Sequence, residues 1–294
     1  WILVQGDTTT VMAASLVAFY HRVRVGHVEA GLRTFDKHRP FPEEINRRIA
    51  DVTADLCFAP TEWARQNLLK EGVSDRQIRV TGNTVIDALL HVQAKDYRWE
   101  DGPLAGLPRN KRTVLITAHR RESFGERFRE LCFAIKDLAV KYQRDCHFVY
   151  PVHPNPNVRT PVNAILGAQG NISLIDPLDY VPLVHLMRRC ALVLTDSGGI
   201  QEEAPSLGVP VLVLRDKTER PEGIDAGTAR LVGTDRARII AEVSRLLDNP
   251  EEHLRMSRAV NPYGDGRAAE RIVESLMNGA EMSAAAEPAH SSAT

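Results

Sequence analysis

Short runs of aliphatic and β-branched residues alternate with longer stretches whose apolar positions recur at helical spacing. The alternation predicts strands over residues 2–5, 23–28, 56–59, 78–81, 113–117, 147–151, 172–175, 191–195, 209–214 and 229–232. Helical patterns occupy 10–21, 43–52, 61–71, 127–142 and 236–247, and Gly72 stands where a helix-ending glycine belongs. Strand–helix alternation of this kind predicts parallel sheets covered on both faces.

The rhythm breaks over 95–112, which predicts a linker between a first Rossmann-like domain (1–94) and a second (113–265). The first holds enough strands for only about half of such a sheet. A final helix over about 266–278 is expected to pack back towards the first domain. Residues 279–294, rich in Ala, Ser and Pro with few large apolar side chains, read as a disordered tail.

Composition narrows the picture only a little. The 294 residues carry a net charge of −1, which argues against a polyanion-binding surface and so against a nucleic-acid partner. Cys57, Cys132, Cys146 and Cys190 are scattered without a C-x-x-C pair and read as buried free thiols, as suits a reducing, cytoplasmic setting. No apolar run approaches the roughly 18 residues that span a bilayer, so no membrane partner is expected. The chain opens Trp1-Ile2-Leu3-Val4, already inside a strand-like run and without a Met, which reads as a fragment lacking upstream sequence.

The strongest candidate chemistry lies in Asp196-Ser197-Gly198-Gly199-Ile200-Gln201-Glu202-Glu203, directly after the apolar run 191–195. Two glycines let an anion approach the backbone, and a helix N-terminus offers free N–H groups and a positive dipole end. Ser197 adds a hydroxyl donor, and Glu203 a carboxylate suited to two ribose hydroxyls. The competing reading is a capped helix, with Ser197 or Asp196 at the N-cap. Paired glycines at a strand's carboxyl end favour the diphosphate site, because a cap needs neither.

Other strand ends carry reactive side chains. Asp7 follows the first strand and also fits an N-cap. Glu29 ends an apolar strand just before Gly31. Glu43 follows Phe41-Pro42 and, with Glu44, also fits a dipole-compensating first turn. His119, Arg120 and Arg121 follow the strand over 113–117 and suit an anionic leaving group; a solvated loop is the alternative. His153 sits in a proline-rich loop, and 215–222 is a charged segment able to close over a ligand. No metal-ligand spacing stands out among the histidines and cysteines.

Several stretches in this order resemble the non-hydrolysing bacterial UDP-N-acetylglucosamine 2-epimerases. They are Gly6-Asp7-Thr8-Thr9-Thr10, His27-Val28-Glu29-Ala30-Gly31-Leu32-Arg33, Phe41-Pro42-Glu43-Glu44-Ile45-Asn46-Arg47, Thr81-Gly82-Asn83-Thr84-Val85-Ile86-Asp87, His119-Arg120-Arg121-Glu122-Ser123-Phe124-Gly125, 196–208, Thr218-Glu219-Arg220-Pro221-Glu222 and Asn261-Pro262-Tyr263-Gly264-Asp265-Gly266. The family's first strand and its Gly-Thr-Arg-Pro-Glu loop are absent from this sequence.

The resemblance implies an α/β, GT-B-like fold of two Rossmann-like domains with a UDP-sugar cleft between them, often a homodimer, with no cofactor or metal. It implies interconversion of UDP-N-acetylglucosamine (UDP-GlcNAc) and UDP-N-acetylmannosamine (UDP-ManNAc), a step of cell-surface polysaccharide biosynthesis. Asp7, Glu29, Glu43 and His119 would be the catalytic groups. Ser197, Gly198, Gly199, Glu203, Arg120 and Arg121 would bind substrate. Arg120 and His153 would contact a second UDP-GlcNAc acting as allosteric activator. A UDP-dependent glycosyltransferase, a hydrolysing epimerase or a UDP-binding fragment without activity are the alternatives.

Overall fold

The computed structural model describes residues 1–284. It divides into two compact units, one of 1–88 with the segment from Tyr263, the other Leu89–Pro262.

Unit 1 follows β1 (Ile2–Gln5), α1 (Thr9–Tyr20), β2 (Val25–Val28), α2 (Glu43–Thr53), β3 (Leu56–Ala59), α3 (Glu62–Lys70), β4 (Ile78–Val80) and α4 (Thr84–Gln93). The strands form one parallel sheet in the order β1-β2-β3-β4. Val4, Val25, Cys57 and Ile78 meet Ala50, Ala64 and Leu68 of the covering helices. Small alanines at these positions let helix backbones lie close to the sheet. The structure bears out the role expected of Gly72: it adopts φ +89, its N–H bonds Leu69 O, and Val73 N–H bonds Leu68 O. That is a Schellman end to α3, which an L side chain would strain.

Unit 2 continues with β5 (Arg112–Thr117), α5 (Glu126–Lys141), β6 (Cys146–Pro151), α6 (Pro156–Leu166), β7 (Ile172–Ile175), α7 (Tyr180–Met187), β8 (Cys190–Thr195), α8 (Gly198–Ser206), β9 (Val211–Val213), α9 (Pro221–Asp225), β10 (Ala229–Leu231), α10 (Arg236–Asp248) and α11 (Pro250–Ser257). Its six strands are all parallel, in the order β10-β9-β8-β5-β6-β7. Alternate side chains serve opposite faces, as the two-residue strand period requires. Val114, Ile116, Phe148, Tyr150, Leu192 and Leu194 pack with α5, α6 and α10. Leu115, Val149, Val193, Val211 and Val213 pack with α7 and α8. The strand order reverses between β5 and β8, and in such sheets ligands gather at the carboxyl ends of the strands beside that switch point.

The change of unit falls within α4, ahead of the segment 95–112 expected as a linker. That segment packs on unit 2, because Leu104 is buried and Tyr97 and Trp99 lie against the apolar face that includes Leu115 and Val193. The last helix, α12 (Ala268–Ala284), belongs to unit 1, where Ile272 packs on Val28 and Phe58. It runs past the end expected near residue 278, since 279–284 continue as helix; the rest of the expected disordered tail, 285–294, lies outside the described residues. All four cysteines are buried and free. Among the described residues, no helix is long and apolar enough to cross a membrane.

Candidate active site

In unit 2 the site is built where β5 and β8 end side by side. Thr117 and Thr195, the last residues of the two strands, share a 2.6 Å hydroxyl contact, and Ser197 N–H donates to Thr195 Oγ1 at 2.9 Å. Asp196 turns away from α8. Its Oδ2 accepts the backbone N–H groups of His119 and Arg120 at 2.6 and 2.7 Å, which ties the loop after β5 to the end of β8.

Ser197 occupies the N-cap position of α8, but its side chain makes no capping bond, and the first turn holds no acid. The capped-helix alternative therefore fails for both Asp196 and Ser197. The first-turn N–H groups of α8 carry no side-chain cap, which suits an anion. Gly198 is required by crowding: a Cβ there would lie 2.5 Å from Arg220 Nη1 and 2.9 Å from Glu219 Oε1. Arg220 is itself fixed by ion pairs to Glu202 and Glu219, and Arg215 by Glu219 and Glu122. The charged segment 215–222 thus braces the start of α8 from behind.

A pocket of about 390 Å³ opens among these strand ends, lined by Thr117, His119, His153, Tyr180, Ser197, Ile200 and Glu203, with Leu178 and Leu183 as apolar wall. His119 and His153 stack at 5.3 Å with ring planes 9° apart. Burial holds the His119 imidazole below its ordinary pKa; Asp196 pulls it up, while His153 and Arg120 push it down. The net effect favours the uncharged imidazole. Glu203 accepts a 2.8 Å hydrogen bond from Tyr180 Oη, and burial raises its pKa. That bond orients Oε1 of Glu203. Arg120 contributes its backbone N–H to Asp196, and Arg121 is exposed on a turn; among the described residues lining the pocket neither side chain appears.

Unit 1 carries three acids at the positions expected from the sequence. Thr8, not Asp7, caps α1, accepting from Val11 N–H at 3.3 Å. Asp7 instead pairs with Arg47 of α2, and its carbonyl accepts from Asn46 at 3.0 Å. Glu29, just beyond β2, holds a left-handed backbone at φ +67, a conformation that costs a non-glycine residue about 1 kcal/mol or more. Such strain concentrates at functional positions. Asn83 lies 3.5 Å from its carboxylate. Glu44 accepts the Thr34 and Phe35 N–H groups and braces the preceding loop, whereas Glu43 keeps a buried oxygen, Oε2, with no hydrogen-bond partner.

The residues not singled out from the sequence are Arg47, Asn46, Asn83 and Tyr180. Arg47 had a local signal, being four residues from Glu43 on one helix face. Tyr180 had none, because 23 residues separate it from Glu203. Among the described residues no cluster of three or more His, Cys, Asp or Glu is arranged to hold a metal ion.

Residues 1–277 match the family described as UDP-N-acetylglucosamine 2-epimerase. The Escherichia coli K12 UDP-N-acetylglucosamine 2-epimerase is 57% identical over 290 residues, covering 94% of this chain and 75% of that protein. The crystal structure of UDP-GlcNAc 2-epimerase from Neisseria meningitidis bound to UDP-GlcNAc is 48% identical, with TM-score 0.89 over 94% of this chain and 76% of that one. The S. aureus MnaA–UDP co-structure is 46% identical, with TM-score 0.89 over 95% and 75%. The GT-B-like α/β fold class expected from the sequence holds. The chain therefore belongs to the UDP-N-acetylglucosamine 2-epimerase family.

Proposed function

We propose that this protein is an isomerase that interconverts UDP-GlcNAc and UDP-ManNAc without net hydrolysis, by expelling UDP and adding it back. The observation that carries this reading is the unit 2 pocket, where the start of α8, with no side-chain cap, Ser197, His119 and the Tyr180-oriented Glu203 converge.

The chemistry follows from what inversion at C2 demands. The C2 hydrogen is barely acidic. A carboxylate removes it as a proton while its electron pair forms the C1=C2 bond. The C1–O bond breaks, and its pair leaves with the β-phosphate oxygen of UDP. That gives 2-acetamidoglucal and bound UDP. In return the β-phosphate oxygen attacks C1, and C2 is protonated from the opposite face. Two faces need two acid–base positions, and Asp7, Glu29 and Glu43 supply candidates. We assign the departing diphosphate to the α8 N-terminus, Ser197 Oγ and the backbone at Gly198 and Gly199, with His119 taking up charge as it forms. Glu203 is assigned to the ribose, and Ile200, Leu178 and Leu183 to the apolar side of the nucleoside.

Arg120 and Arg121 are assigned to electrostatic attraction of the incoming diphosphate, and Arg120 with His153 to a second, activating UDP-GlcNAc. A homodimer acting in the cytoplasm completes the reading on the family resemblance. The deciding experiment incubates the protein with UDP-GlcNAc in D₂O. Epimerisation puts deuterium at C2 of both sugars and keeps them attached to UDP. Unlabelled substrate, or free N-acetylmannosamine as the main product, would overturn the proposal.

A further inference from the structure

Three acids of unit 1 must hold fixed places for two-face chemistry, yet they lie on three separate segments. Asp7 follows β1, Glu29 follows β2, and Glu43 begins α2. One buried group touches all three segments. His27 of β2 is fully buried; its Nδ1 lies 2.6 Å from Asp51 Oδ1 and its Nε2 2.8 Å from Gly6 O. Asp51 is in α2, two turns beyond Glu43 and one beyond Arg47, the partner of Asp7. Its second oxygen accepts Arg33 Nη2 at 2.7 Å and Gly31 N–H at 3.3 Å, the latter two residues past Glu29. Arg33 is held in turn by Glu71. Gly6, next to Asp7, is pinned at both ends, since its N–H also donates to Val28 O at 3.1 Å.

A purely packing role would not need this arrangement. A carbonyl oxygen only accepts, so Nε2 must carry a proton. Asp51, already paired with Arg33, is an acceptor, so Nδ1 carries one as well. We propose that His27, locked to Asp51 as a doubly donating imidazolium, is a positioning residue that fixes the Gly6–Asp7 turn relative to Glu29 and to α2, and so sets the spacing of the three carboxylates. The imidazolium is consistent with its surroundings: burial opposes the charge, but Asp51, the Gly6 carbonyl and Glu29 outweigh it and raise the His27 pKa. Displacing a reacting group by about 1 Å can cost on the order of 100-fold in rate.

The inference rests on the epimerase reading, and the test separates the two. Asp7→Asn addresses the reading itself. His27→Asn retains an amide near Asp51 and loses the donor to Gly6; His27→Gln retains a donor towards Gly6 and loses the charge; Asp51→Asn keeps the shape and removes the ion pair. The expected result is a kcat lowered at least about 10-fold in His27→Asn and Asp51→Asn, with partial recovery in His27→Gln. UDP dissociation constants and KM should stay within about two-fold, because the pocket residues belong to unit 2. Equal losses in His27→Asn and His27→Gln, a parallel loss of UDP affinity, a kcat near that of the unaltered protein, or failure of all three to fold would overturn the positioning role. Full activity in Asp7→Asn would instead overturn the carboxylate assignment on which it rests.

Discussion

At the residue scale the site depends on a few side chains whose neighbours decide their state. Asp7 is oriented by Arg47, and Glu29 is held in a strained backbone beside Asn83. Asp7→Asn or Glu29→Gln is expected to lower kcat by about 100-fold or more, read by a coupled epimerisation assay. Near-normal turnover in both variants would remove them from the chemistry. The His27–Asp51 pair also predicts a pH signature in stability. The His27 pKa is raised, so its contribution is complete below the ordinary 6.5 and is lost as pH climbs past the raised value. The Asp51 pKa is lowered, its burial outweighed by His27 and Arg33, so its contribution is present above the ordinary 3.8 and is lost as pH falls through the lowered value. The thermal midpoint of Asp51→Asn should therefore fall furthest below that of the unaltered protein between these two ordinary values. A difference that is constant across acid and alkaline pH would contradict the ion pair.

At the element scale α8 shows how a structural and a functional demand compete. An N-cap acid would complete the helix, yet position 197 holds a serine that makes no capping bond. Ser197→Asp should raise stability by about 0.5–1 kcal/mol through capping and dipole compensation. It should also weaken UDP binding at least about ten-fold by placing a negative charge where the diphosphate sits. Calorimetry and thermal melts together check it; tighter UDP binding would move the diphosphate elsewhere. Strand positions were legible to within two residues, because a strand buried on both faces must be a short continuous apolar run. Helices α4, α6, α7, α9 and α11 were not singled out from the sequence. Three of these have evident reasons: α6 contains Pro161, α7 has 8 residues with Pro182 inside, and α9 has only 5 residues. Interrupted or brief patterns carry little 3.6-residue periodicity.

At the scale of the whole molecule the proposed chemistry is divided between the two units. Thr117, His119, Tyr180, Ser197 and Glu203 all belong to unit 2, and Asp7, Glu29 and Glu43 to unit 1. Residues 89–262 expressed alone are expected to fold around their six-stranded sheet, to bind UDP within about ten-fold of the intact chain, and to leave the C2 hydrogen unexchanged in D₂O. Exchange by that fragment would place the acid–base groups in unit 2.

By itself the amino-acid sequence determined the parallel α/β class and the strand ends that carry acids, and marked the Asp196–Glu203 segment as a candidate anion site, because each rests on local periodicity or on adjacent residues. Tertiary structure decided what each of those groups does. It made Thr8 the cap of α1 and freed Asp7 for Arg47; it turned Asp196 towards the His119 loop; it brought Tyr180 to Glu203; and it buried His27 between Gly6 and Asp51. These contacts join residues as many as 77 positions apart. Their partners are chosen by strand order and helix packing, and neither is written in local spacing.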